Sequence, residues 1–289
     1  MTEHPRLGFI GLGQIGAPMA NRLTDWPGGL VIYDARPEAM EPFAATGAIL
    51  AGSVAEVARQ ASIISVMVRD DAQVTDVVHE IAATAAGFSE RIVAVHSTIR
   101  AGTASRLAAE VAGAGVELAD AAVSGGMMGA QDGRLAVMFG GTREAYELCR
   151  VPFGRMADLV LYMGPVGAGT KAKLARNLLH FVSFTAAAEA QRLAAAAGLD
   201  LRKLGKVVRH SDAVTGGPGA IMVRGTTAPL TTSDPLTGIL DHVRELGEKD
   251  LTLALELGAE LGVELPLAGL ALRDFAAGLG LPAVEDDDG

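Results

Sequence analysis

Residues 8–23, GFIGLGQIGAPMANRL, set three glycines, Gly11, Gly13 and Gly16, between an apolar run and an amphipathic one. The chain holds 36 glycines, so spacing alone is weak and the flanks decide. Arg6–Ile10 reads as a short buried strand. Ile15, Met19 and Leu23 recur at helical spacing, and Pro18 falls where a first turn tolerates it. Strand, glycines, helix is the context in which a glycine turn holds a pyrophosphate. Gly11 allows the tight turn, Gly13 lets backbone approach the phosphates, and Gly16 lets helix pack on strand. The helix start, with Gln14 and Ile15 in the same turn, offers unpaired N–H groups and partial positive charge. Downstream, LVIYD (Leu30–Asp34) is an apolar strand closing on an acid about 18 residues after Gly16, placed to accept from ribose hydroxyls. The stretch reads as a dinucleotide site. Asp34 would repel a 2′-phosphate, which favours NAD over NADP, although Arg36 could swing toward such a phosphate.

A dinucleotide site needs a substrate beside it, and two further stretches suit one. In DAAVSGGMMGA (Asp120–Ala130), Ser124, Gly125 and Gly126 present a hydroxyl and bare backbone N–H groups, suited to gripping a carboxylate. From spacing alone a simple strand-end turn is the favoured reading of the same residues. In GPVGAGTKAKLARN (Gly164–Asn177) and just beyond, Lys173, Asn177 and His180 fall at i, i+4 and i+7, on one helix face that continues with Phe184. That face is expected to be at least partly buried, which draws a lysine pKa down from about 10.4 and makes it a general acid or base. Lys171 and Lys173 merely snorkelling at the helix start is the open alternative. His180 reads as a core or pocket-lining histidine.

No other constellation competes. The six histidines show no HxxxH or HExxH spacing, so no metal site is expected. There is no GxSxG elbow, and Tyr146 is followed at YxxxK spacing by Arg150 rather than lysine. Cys149, the single cysteine, excludes an intrachain disulfide and reads as a small core residue in a helix.

The elements that must position these groups fall into two regimes. Up to Gly164, apolar strands alternate with helical patterns. Strands are expected also at Ile63–Val68, Ile92–His96, Val116–Ala119, Leu135–Phe139 and Val160–Met163. Helical stretches are expected at 14–25, 38–45, 54–59, 72–86, 101–113 and 143–150. Such alternation predicts an α/β, Rossmann-type, doubly wound and mostly parallel sheet, mixed at its far edge. From Thr170 to Ala197 an Ala/Leu-rich helical pattern runs unbroken for roughly 40 Å. Gly198 stops it, and Asp200 can cap the next helix. The remaining C-terminal residues read as helical, interrupted at 215–219 and 225–235, with a last helix after Pro266. The expected division is 1–164 for the cofactor and 165–289 for an all-α domain of substrate binding and oligomerisation, joined by the long interdomain helix.

Composition narrows the partners. A formal charge of −10 with no Lys/Arg-dense stretch argues against nucleic acid and anionic membrane surfaces. No apolar run is long enough for a membrane span, and the first strand begins too early to leave room for a signal peptide, so a cytoplasmic protein is expected. The tail EDDDG reads as a solvated acidic end. The long helix is too long to be covered by the roughly 90 residues after it, which predicts a homodimer or homotetramer.

Assembled, these stretches resemble the β-hydroxyacid dehydrogenases, the 3-hydroxyisobutyrate dehydrogenase-like family, to about residue 280. GFIGLGQIGAPMANRL is similar to the family's GFIGLGxMGxPMAxNL, DAAVSGG to its DAPVSGG, and EKDLTLALE to its KDLxLAxE. The GxGxxxKxxxN motif falls on Gly167, Gly169, Lys173 and Asn177. The resemblance implies hydride transfer between NAD(P) and a small 3-hydroxy acid or its semialdehyde. It implies that Lys173 exchanges the proton of the substrate oxygen, that Asn177 orients the substrate, and that Ser124, Gly125 and Gly126 bind its carboxylate. Lys249 would lie near the nicotinamide with Asp250 lining the same cleft, while Met67, Val68, Ser97 and Thr98 would contact the cofactor. Departures are Arg69 where proline is usual, Arg176 in place of an asparagine, and His242 where phenylalanine is common. Arg69, His180 and His242 leave the small carboxylate substrate open. Imine reductases share this architecture but usually lack the lysine; a cofactor-binding module without turnover is the other rival.

Overall fold

The computed structural model describes residues 4–85, 91–231 and 233–281. The chain divides into two compact units, 1–176 and 177–289. The first is built on an eight-stranded sheet of order β3-β2-β1-β4-β5-β6-β7-β8. Its strands are β1 (Leu7–Ile10), β2 (Leu30–Tyr33), β3 (Ile49–Leu50), β4 (Ile63–Val66), β5 (Arg91–Val95), β6 (Val116–Ser124), β7 (Leu135–Gly140) and β8 (Ala157–Gly164). Between them run α1 (Gly16–Asn21), α2 (Val54–Gln60), α3 (Asp71–Ala85), α4 (Ala101–Val111), α5 (Gly126–Asp132) and α6 (Arg143–Phe153). All ladders are parallel except β6–β7. The mixed edge expected from the sequence sits there.

Alternation along each strand feeds two apolar layers, one on each face of the sheet. Phe9, Ile32, Ala94, Ala121 and Phe139 belong to one, with Cys149 and Phe153 of α6 packed into it. Ile10, Val31, Ile64, Val66, Val93 and Val95 belong to the other, under α2, α3 and α4. A sheet covered on both faces leaves the strand ends as the place for a ligand.

Several expected boundaries move, each for a local reason. The helix expected over 14–25 stops at Asn21, because the N–H groups of Leu23 and Thr24 turn to carbonyls three residues back and the Thr24 hydroxyl also takes the Asn21 carbonyl. The helix expected over 38–45 is two single 3₁₀ turns, Pro37–Ala39 and Glu41–Phe43, since Pro42 has no N–H to continue the first. The strand expected to end at Ala119 runs on to Ser124. Its Ala121, Ala122 and Val123 are buried, so no alternation marks them and alanine hides the strand. β3 and α5 were not expected at all. The final residue of the 72–86 helix and the acidic EDDDG tail lie outside the described residues.

The second unit is helical. α7 (Ala168–Ala196) opens in the first unit and carries the chain into the second, followed by α8 (Leu201–Thr215), α9 (Thr237–Glu260) and α10 (Pro266–Leu279). Asp200 caps α8 as expected, its Oδ1 accepting the N–H groups of Arg202 at 2.8 Å and Lys203 at 3.3 Å. The buried Glu189 of α7 accepts the N–H groups of Leu267 at 2.9 Å and Ala268 at 3.0 Å, capping α10.

Candidate functional site

At the C-terminal ends of β1, β2 and β4 the first unit opens into a cavity of about 770 Å³. Gly11, Gly13, Gln14, Ile15 and Gly16 line it from the turn after β1, Asp34 and Arg36 from the end of β2, and Met67 and Val68 from the end of β4. Nine sequence-predicted residues therefore meet around one space. Gly11 has φ +97°, and a Cβ there would collide with the carbonyl of Met67. A Cβ on Gly16 would collide with the carbonyl of Gly11, so helix and strand touch through backbone. A Cβ on Gly13 would meet nothing within 4 Å, which leaves that backbone open to a ligand. The fit to a dinucleotide is good: two glycines close the turn and one faces the space.

Asp34 is nearly enclosed, and both its oxygens are engaged. Oδ2 accepts the N–H of Leu12 at 2.7 Å, and Oδ1 accepts the N–H of Arg36 at 2.9 Å and its Nε at 3.1 Å. Burial pushes the carboxyl pKa up, but the Arg36 and Leu12 hydrogen bonds outweigh it and hold it below the usual range. Arg36 is thus paired with Asp34 while its side chain stays exposed to solvent.

The sequence reading missed the opposite wall. Arg69, Gln73, Asp76 and Val77 line the same cavity. Arg69, expected to bear on the substrate, stands on the cofactor side. The signal was present: Gln73, Asp76 and Val77 sit at i, i+3 and i+4 in the helix after β4, one face aimed at the strand ends. Ser97 pins this wall, donating to the carbonyl of Val68 at 2.7 Å and accepting its N–H at 2.9 Å. Thr98 is exposed beside it and does not line the cavity. Beneath Ser97, His96 is buried between Phe9 and Phe153, with Nδ1 2.7 Å from the Ala121 carbonyl and Nε2 3.0 Å from Ser65 Oγ. A carbonyl only accepts, so Nδ1 carries the proton and Ser65 donates to Nε2. Burial lowers the pKa of this imidazole to about 4.

Ser124, Gly125 and Gly126 occupy the C-terminal end of β6 and the entry to α5, with φ +133° at Gly125 and +65° at Gly126. Lys173 lies in the second turn of α7 and is 9% exposed, and burial, with the Arg176 charge beside it, lowers its pKa. Along the same face Asn177 and His180 are half-buried, while Phe184 is 56% exposed. The face is partly buried, as expected, from Lys173 to His180, and opens to solvent at Phe184. His180 packs at a tilt against Phe181 and Phe184, its ring centroid 5.3 and 4.5 Å from theirs. In the second unit His242, Lys249 and Asp250 are exposed on α9, Lys249 paired with Asp250 at 2.8 Å and His242 3.9 Å from Glu245. Among the described residues no cluster of three or more His, Cys, Asp or Glu is placed to hold a metal ion.

Residues 6–164 match the family model described as the NAD binding domain of 6-phosphogluconate dehydrogenase. Residues 167–287 match that described as NAD-binding of NADP-dependent 3-hydroxyisobutyrate dehydrogenase. The rat mitochondrial 3-hydroxyisobutyrate dehydrogenase is 32% identical over 84% of this chain and 69% of its own. The chain belongs to the β-hydroxyacid dehydrogenase family. Within that family, an uncharacterized oxidoreductase of Mycobacterium tuberculosis is 57% identical over 98% of this chain and 97% of its own. Among solved structures, a putative oxidoreductase from Mycobacterium avium superposes with a TM-score of 0.91 at 52% identity, covering 96% of this chain and 99% of the other. The Mycobacterium tuberculosis 3-hydroxyisobutyrate dehydrogenase with L-serine gives 0.67 at 29%, covering 96% of each. An imine reductase from Pseudomonas gives 0.69 at 17%, over 96% of this chain and 95% of that one, a likeness of fold alone. The protein is an oxidoreductase of the 3-hydroxyisobutyrate dehydrogenase type with a nicotinamide-cofactor domain, and no described helix is long and apolar enough to cross a membrane.

Proposed function

We propose that this β-hydroxyacid dehydrogenase moves a hydride between NAD and a small 3-hydroxy acid or the matching semialdehyde, with Lys173 as the general acid/base. The observation that carries this is a lysine held nearly out of water, its pKa lowered, in the second turn of α7. When bound, the nicotinamide takes up or delivers the hydride. In oxidation, the neutral Lys173 amine receives the hydroxyl proton as the carbon loses hydride. In reduction, the ammonium returns a proton to the carbonyl oxygen. Asn177 orients that oxygen, and Ser124 with the N–H groups of Gly125 and Gly126 holds the carboxylate. Lys249 and Thr98 attend the cofactor, while His180, His242 and Asp250 shape the substrate's surroundings.

NAD is favoured over NADP because Asp34 presents negative charge and holds Arg36 back from a 2′-phosphate. The division of labour runs at 164/165, with cofactor binding before it and substrate binding and assembly after it. The acting form is a cytoplasmic homodimer or homotetramer. α8 buries none of its side chains, and Leu178, Phe181 and Phe184 of α7 are exposed in the single chain, which supports a second subunit. The buried lysine weighs against an imine reductase. A panel of 3-hydroxy acids, L-serine included, and of semialdehydes, run with NAD and NADP and followed by cofactor absorbance, tests the reading. No turnover of any 3-hydroxy acid or semialdehyde would overturn it.

A further inference from the structure

A buried carboxylate with no part in the proton transfer itself stands at the root of the helix that carries Lys173. Asp120 is fully enclosed in β6. Its Oδ1 accepts the N–H of Gly167 at 2.6 Å, and its Oδ2 accepts that of Thr170 at 2.5 Å. Both donors belong to the opening of α7, where a helix leaves its N–H groups without intrahelical partners. They are three residues apart, so one carboxylate spans the whole turn. Missing side chains make room for the contact. A Cβ on Gly140, opposite Asp120 in the β6–β7 ladder, would collide with Oδ1, and one on Gly169 would collide with the carbonyl of Met138. Strand and helix start meet backbone to backbone.

Lys173 comes three residues after Thr170, on the adjoining turn. Holding two N–H groups of the first turn fixes both its rotation and its depth. From there the regular helix, about 1.5 Å and 100° per residue, carries that placement to Lys173 without a flexible link. Burial pushes the Asp120 pKa up and the two N–H groups oppose it. With both oxygens accepting, the group is set up as a carboxylate, and charge-assisted bonds at the positive end of a helix are roughly twice as strong as neutral ones. Stability alone is a poor account of it, because an ionised group enclosed this deeply has a large desolvation cost that an apolar residue avoids. We infer that Asp120 is a positioning residue of the reaction, setting the rotation and depth of α7 and so the place of the Lys173 amine. The inference rests on the reading of Lys173 as acid/base.

Asp120→Asn keeps the shape but turns an amide NH₂ toward a helix N–H. We expect kcat to fall at least about tenfold, the pH limb of kcat owed to the lysine to shift, and cofactor affinity, read by fluorescence titration, to stay within about twofold. Glu189→Gln is the matched control, another enclosed carboxylate holding two N–H groups at a helix start, but that of α10. It should lower Tm and leave kcat and the pH limb alone. Asp120→Asn behaving like this control, with Tm lowered and kcat and pH limb unmoved, overturns the inference. Lys173→Ala separates the two readings. Near-normal turnover in Lys173→Ala defeats the lysine reading itself. If Lys173→Ala is crippled, Asp120→Asn added to it should cost nothing more, and a further full tenfold loss means Asp120 does not act through the lysine. Should Asp120→Asn fail to fold, Asp120→Ser, which removes the carboxylate without crowding the helix start, goes through the same measurements with the same expected and overturning results.

Discussion

Lys171 and Lys173 stand two positions apart in α7 and differ in what matters to proton transfer: Lys171 is exposed and Lys173 buried. Two residues on a helix are rotated by about 200°, so they face different surroundings. Lys173→Ala is therefore expected to lower kcat at least about a hundredfold with cofactor binding nearly intact, and Lys171→Ala to change little. Because burial lowers the Lys173 pKa, kcat for oxidation should rise with pH along a limb below the ordinary lysine value. Asp34→Asn should narrow the preference for NAD over NADP, measured as the ratio of kcat/KM values; a clear NADP preference in the parent protein defeats that argument. His96 makes a second pH prediction. Its pKa is about 4 when folded and about 6.5 when unfolded, so the unfolded chain binds the proton first. The stability it lends is complete above about pH 6.5 and is lost as pH falls toward 4. His96→Asn should flatten that acid loss in urea titrations. At this scale the place of the glycines and Asp34 around the cavity, and the burial of Lys173, were legible because each sits in a short local pattern. Asp120 opens the DAAVSGG stretch, yet its role was hidden, since its partners lie 47 and 50 residues away.

An element is legible when its own residues carry its signal. β1, β2, β4 and β5 declared themselves as apolar runs between breakers, and α7 as a long stretch without one. β6 gave only half of itself, because Ala121 and Ala122 pack on both faces of a central strand and show no period of two. β3 has two residues and no pattern to show. Capping divides the same way. Asp200 is adjacent to the helix it caps and was foreseen, whereas Glu189 reaches α10 from 78 and 79 residues upstream. Glu189→Ala leaves the N–H groups of Leu267 and Ala268 without this acceptor. It should destabilise the protein by about 1–3 kcal/mol, measured by denaturant unfolding.

For the molecule as a whole, the first unit buries a large core on both faces of its sheet, while the described core of the second gathers around Leu240, Leu279 and Leu281. Helices so sparsely covered are expected to associate, and light scattering at micromolar concentration should give a mass well above the 29.6 kDa of one chain. A clean monomer refutes the proposed assembly. The two margins of the sheet have a separate consequence. One margin ends in β3, too short to invite another strand. The other ends in β8, eight residues with Leu159, Leu161 and Met163 exposed and no proline or lysine to discourage pairing. Anyone who cuts the gene after residue 176 to make a minimal cofactor-binding protein should therefore expect a sticky product, prone to strand-to-strand aggregation. Solubility should return when Leu161 is changed to lysine.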